Sequence, residues 1–69
     1  MEIKSKLKEI MDSTGMKQRF LANKVGISEG TLSFIVRGKT IPTLPVALKI
    51  AAALERRIED IWEIKHDTE

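Results

Sequence analysis

The sequence contains neither cysteine nor tyrosine, and it has a single histidine, three aromatic residues, four glycines and two prolines. Without cysteine there is no disulfide and no thiolate metal site, and His66 has no second imidazole with which to share a metal. Catalysis loses most of its usual groups with them. The adjacent Glu59 and Asp60 point in different directions on a helix, and so small a chain can hardly enclose a substrate pocket, so neither an enzyme nor a cofactor is expected. The scarcity of glycine and proline, with 42% hydrophobic and 32% charged residues, excludes a disordered or low-complexity chain. Long apolar runs are missing too. The longest, Ile50 to Leu54, falls far short of the roughly 20 residues of a membrane span, and Met1-Glu2-Ile3-Lys4 begins no signal-peptide core. A soluble, cytoplasmic protein is expected, with no membrane partner.

What is present fits one domain over residues 1–69. A core of this size contributes only about 3–5 kcal/mol, and with disulfides and metals excluded, association with a second subunit is the remaining staple. Charge is unevenly spread. Residues 1–54 carry nine Lys/Arg against four Asp/Glu, whereas residues 55–69 carry three against six, so a basic body precedes an acidic tail. That distribution suits a polyanionic partner for the body.

Ile3, Leu7, Ile10 and Met11 recur at helical spacing and predict an amphipathic first helix closed by Gly15. A second helix is expected from about Lys17 to Val25, stopped by Gly26 in the left-handed conformation. Ser28 is an N-cap candidate, with Glu29 favouring the dipole in the first turn, and a third helix should reach Val36. Residues 37–42 read as a polar loop closed by proline. Thr43 then caps a fourth helix, with Leu44, Leu48, Ile50, Ala51 and Leu54 as its apolar positions. A short fifth helix is expected from Ile58 to Trp62, and the alternation of Trp62-Glu63-Ile64-Lys65 also suits a brief strand. Residues 66–69 should fray. The fold class expected is all-α with five helices.

Two short helices joined by a glycine turn and followed by a basic loop form a helix-turn-helix, here over about residues 17–36. Ala22 is small where the helices cross, Gly26 makes the turn, and Leu21, Val25, Ile27, Leu32 and Ile35 are apolar where the pair must be buried. At these residues the chain resembles the Cro and phage-repressor family of DNA-binding domains, with a lambda-repressor-like fold. Gly15-Met16-Lys17-Gln18 resembles that family's approach to helix 2, and Val25-Gly26-Ile27-Ser28 its turn. Gly38-Lys39, Pro42 and Ala47-Leu48-Lys49-Ile50-Ala51 resemble its loop and fourth helix. The resemblance implies a homodimeric repressor of double-stranded DNA whose third helix enters the major groove. The match is best to stand-alone members, so no small-molecule effector is evident.

The departures are as informative. The family's Arg–Glu pair between helices 1 and 3 is replaced by Met11 and Val36, a swap of both partners for apolar groups that should leave the fold intact. Lys17 stands where the family places a Ser or Thr cap, which weakens the helix start but puts a cation near a phosphate. Glu55 and Arg57 replace the usual glycine and cap before the last helix.

On a wheel at about 100° per residue, Leu32, Ile35 and Val36 of the third helix cluster inward. The base-reading residues expected are Ser28, Glu29, Gly30, Thr31, Ser33 and Phe34. Thr31 and Phe34 suit thymine methyls, Glu29 a cytosine amino group, and Gly30 a close backbone approach. Arginine and asparagine are absent from the helix start, so the strongest two-bond base contacts are missing and specificity should be modest or depend on DNA shape. Lys17, Gln18, Arg37, Lys39 and Thr40 are expected at phosphates. Ile58, Ile61, Trp62 and Ile64, within about residues 55–65, are expected to form the dimer contact. The competing reading is a protein-interaction module of the same fold, an antirepressor or antitoxin, docking through Phe20 and Phe34.

Overall fold

The computed structural model describes residues 2–66; of the tail expected to fray, residues 67–69 lie outside the described residues. Seven elements follow in order: β1 (Glu2–Ser5), α1 (Leu7–Thr14), α2 (Gln18–Val25), α3 (Glu29–Val36), α4 (Leu44–Leu54), α5 (Ile58–Ile61) and β2 (Trp62–Lys65). Five helices stand where five are expected. The chain is not purely helical, however, because its two ends pair as an antiparallel ribbon.

That ribbon corrects the reading of the N-terminus. Ile3 is not the first apolar position of helix 1; it lies in β1 opposite Ile64, while Ser5 lies opposite Trp62. Four residues separate Ile3 from Leu7, so local spacing looks helical, but pairing with a strand some sixty positions away decides the outcome. At the junction the Lys6 N–H donates to the Ile61 carbonyl at 2.7 Å, and the Leu7 N–H donates to Ser5 Oγ at 3.3 Å. The second half of the chain's end, read as strand or helix, resolves into both: one turn of α5 and then β2.

The helices converge on one core. Leu7, Leu21, Leu32, Ile50 and Ile61, one from each helix, are its wholly enclosed large side chains. Each contributes roughly 1.5–3 kcal/mol by leaving water. Met11 and Val36 are buried in the same cluster, so the positions of the family's ion pair are here apolar on both sides. Ala22 is buried on α2.

Ser28 Oγ accepts from the Thr31 N–H at 3.1 Å, which is the expected cap of α3. Lys17 occupies the cap position of α2 and makes no capping bond. Thr43 has the extended cap backbone of α4, but its hydroxyl does not cap, contrary to expectation. Arg57 cannot accept; its own N–H donates to Asp60 Oδ2 at 3.1 Å, which supplies half of a capping box for α5. Gly26 turns the chain from α2 at φ 90°.

Candidate nucleic-acid interface

The burial of Leu21, Ala22, Val25, Leu32, Ile35 and Val36 fixes which sides of α2 and α3 remain in water. Ser28, Glu29, Gly30, Thr31 and Phe34 are exposed, and Ser33 is half-buried. These six residues therefore lie at or near the surface of α3, as a base-reading row requires. A Cβ on Gly30 would meet nothing within 4 Å, so the fold does not require glycine there, and the space is open to an approaching partner. The Ser28 hydroxyl donates to Thr31 Oγ1 at 2.8 Å, so the Thr31 hydroxyl is already engaged.

Lys17, Arg37, Lys39 and Thr40 are exposed and Gln18 is half-buried. Lys17 and Gln18 sit at the start of α2, whose first N–H groups point outward and have no side-chain cap, an arrangement suited to anions. The basic loop is aimed by the end of α3. Gly38 adopts φ 74°, the Gly38 N–H donates to the Ile35 carbonyl at 3.1 Å, and the Lys39 N–H donates to the Phe34 carbonyl at 2.9 Å. This pair of bonds is a Schellman closure, which needs the left-handed residue at its apex and sets the direction in which Lys39 leaves the helix. Arg37 also lies over the Phe34 ring, with its guanidinium carbon 5.2 Å from the centroid. Lys24 similarly covers Phe20 at 5.7 Å. Phe34 thus stands exposed with a cation on its face, and the apolar ring and the charge share one place.

One ion pair across this surface escaped sequence reasoning. Arg19 Nε, on α2, is 3.8 Å from Glu29 Oε1, on α3. The two lie ten positions apart, and the α2–α3 turn brings them together.

The expected dimer contact needs correction. Ile61 is wholly enclosed by its own chain, and Ile58 and Trp62 are half-buried against the core, so of the four residues named only Ile64 is largely exposed. The exposed apolar surface lies elsewhere: Ile3, Ile41, Leu44 and Leu48 join Ile64 as exposed side chains. Of the apolar positions expected on α4, Ile50, Ala51 and Leu54 are buried together with Ala47, whereas Leu44 and Leu48 are exposed. Ile3 and Ile64 are cross-strand partners on one face of the ribbon. An open apolar groove of about 250 Å³ runs between Ile3, Ile41, Leu44, Ile58 and Trp62. No pattern in the sequence separates Leu44 and Leu48 from their buried neighbours. No helix among the described residues is long and apolar enough to cross a membrane.

Comparison with known proteins agrees with this geometry. The model of the helix-turn-helix family matches residues 7–61. The chain is 38% identical over 60 residues to an uncharacterized HTH-type transcriptional regulator of Archaeoglobus fulgidus, covering 87% of this chain and 86% of that one. It is 32% identical over 65 residues to the uncharacterized HTH-type transcriptional regulator YgzD of Bacillus subtilis, covering 94% and 98%. A similar regulator of Methanocaldococcus jannaschii is 38% identical over 65 residues, again covering 94% and 98%.

Proposed function

The chain belongs to the helix-turn-helix family, and from that premise we propose that it is a transcriptional repressor that binds a two-fold symmetric operator as a homodimer. The observation that carries this reading is the α2–α3 pair itself. Its shared face is buried, which leaves the α3 row at or near the surface, and the cations of residues 17, 37 and 39, at the start of α2 and the end of α3, are exposed as well. In the mechanism, Lys17, Gln18, Arg37, Lys39 and Thr40 hold phosphates and set the depth and angle of α3. Ser28, Gly30, Thr31, Ser33 and Phe34 then meet base edges in the major groove, where the Thr31 and Phe34 apolar groups suit thymine methyls. Repression follows from occlusion of the promoter, in the cytoplasm, without a small-molecule effector.

For the dimer, we place the contact on the face that carries Ile3, Ile41, Leu44, Leu48 and Ile64, with the half-buried edges of Ile58 and Trp62 lining its groove. An apolar surface of this kind on so small a chain is what a second copy covers. A pair joined there reads half-sites about one helical turn apart. The test is a titration of randomised and promoter-derived duplexes at about 50 and 200 mM salt, followed by selection of the tightest binders. Enrichment of an inverted repeat with a steep salt slope is expected. Affinity that follows charge alone, with no sequence enriched, moves the weight to a protein partner docking on the exposed Phe20 and Phe34.

A further inference from the structure

The first turn of α3 and its cap, residues 28–31, contain no arginine or asparagine, so α3 by itself lacks a group able to grip a base through two hydrogen bonds. A suitable donor stands on the neighbouring helix. Arg19, the second residue of α2, has 81% of its side chain exposed and sets its Nε 3.8 Å from Oε1 of Glu29, the first residue of α3. The carboxylate thus faces the Nε edge of the guanidinium. The two terminal Nη groups carry four of the five N–H donors, and Arg19 makes no other ion pair among the described residues.

We propose that Arg19 is a specificity-determining residue, its guanidinium held at the start of α3 by Glu29 so that the Nη groups bond O6 and N7 of a guanine in the major groove. The inference rests on α3 entering that groove. Three features support it. The rigid planar fork of arginine matches the two acceptors of guanine with two parallel in-plane bonds, a geometry that the ammonium of lysine, a point charge on a flexible stem, does not fix. The pair brings a cation of α2 to the first residue of α3, although an exposed pair of this length adds little to stability. An unpaired Glu29 at the front of a DNA-binding helix would repel phosphates, and Arg19 offsets that charge at its source. Glu29 is then a positioning residue and not the cytosine acceptor that its place in the sequence suggests.

The experiment is binding-site selection with the full chain and with Arg19→Ala, Arg19→Lys and Glu29→Ala, together with titrations at several salt concentrations. The parent protein should select a guanine at one position of each half-site. Arg19→Ala should lose that preference while the rest of the motif persists, and its affinity for the guanine-containing site should fall about 5- to 150-fold. Arg19→Lys, which keeps the charge but not the planar fork, should weaken the preference to between that of the parent and that of Arg19→Ala. Glu29→Ala should weaken it while raising affinity for unrelated DNA. Melting curves of the Arg19 variants should overlay the parent's, because the side chain is exposed.

An unchanged motif in Arg19→Ala overturns the proposal. So does a loss spread evenly over all sequences with a salt slope shallower by about 0.9, because that is the signature of a phosphate contact. A parent protein that selects no motif defeats the DNA-binding reading itself, and the Arg19 proposal falls with it.

Discussion

Glu55 is the non-glycine residue held at positive φ among the described residues, at φ 56° and ψ 44° after the end of α4. Its surroundings repeat those of Gly38. The Glu55 N–H donates to the Ala52 carbonyl at 3.1 Å and the Arg56 N–H to the Ala51 carbonyl at 3.0 Å, the same Schellman pair that closes α3 around a glycine. A side chain in this conformation costs roughly 1–2 kcal/mol, whereas glycine gives back about 0.4–1 kcal/mol through the freedom it adds to the unfolded chain. Glu55→Gly should therefore stabilise the protein by about 1 kcal/mol, which raises Tm by roughly 4–8 °C in a domain of this size. The Glu55 carboxylate makes no ion pair among the described residues, so little is lost with it. Thermal unfolding followed by circular dichroism at one fixed protein concentration measures the change. Glu55→Ala is the control: it removes the same charge but keeps the Cβ, and its Tm should stay near the parent's. A glycine variant that melts no higher, or an alanine variant that gains as much, would refute the assignment of strain to the backbone.

Further predictions follow from the caps, the core and the apolar face. Lys17→Ser supplies the missing cap of α2 and should stabilise by about 1 kcal/mol. It should also weaken DNA binding and flatten the salt slope by about 0.9, since a phosphate contact is lost; a more stable variant with an unaltered slope removes Lys17 from the interface. Ile61→Ala should cost about 2–5 kcal/mol, comparable to the whole stability expected of so small a core, and circular dichroism should show a largely unfolded chain. Leu44→Glu should keep helical circular dichroism and yet sediment as a monomer. Its affinity should fall for an inverted repeat and stay unchanged for a single half-site.

The parts of the molecule legible in the sequence are those set by neighbours a few residues apart. Ser28, Gly26 and the apolar spacing of Leu21, Val25, Leu32 and Ile35 place α2 and α3 within a residue of their observed ends. The exposed row on α3 follows from the same periodicity. What local pattern does not contain is pairing over long separations. Ile3 satisfies helical spacing with Leu7, and only its partner Ile64 makes it a strand residue. Composition also fails to say which face of an all-apolar stretch is covered. Leu44 and Leu48 look like core beside Ala47 and Ile50, and Ile61 looks like Ile64, until the packing of α5 encloses one and leaves the other in water. The proximity of Arg19 to Glu29 is of the same kind: the periodicity of α3 does not contain it, because the turn brings a residue of α2 to its front.

Whether α2, α3 and the loop after them meet DNA is read from an amide chemical-shift titration of the isotopically labelled protein with the duplex selected in the binding experiment. The largest shifts should fall on residues 17–19, 28–34 and 37–40. Largest shifts confined to the face of Ile3, Leu44 and Ile64, or none at saturating duplex, would contradict that contact.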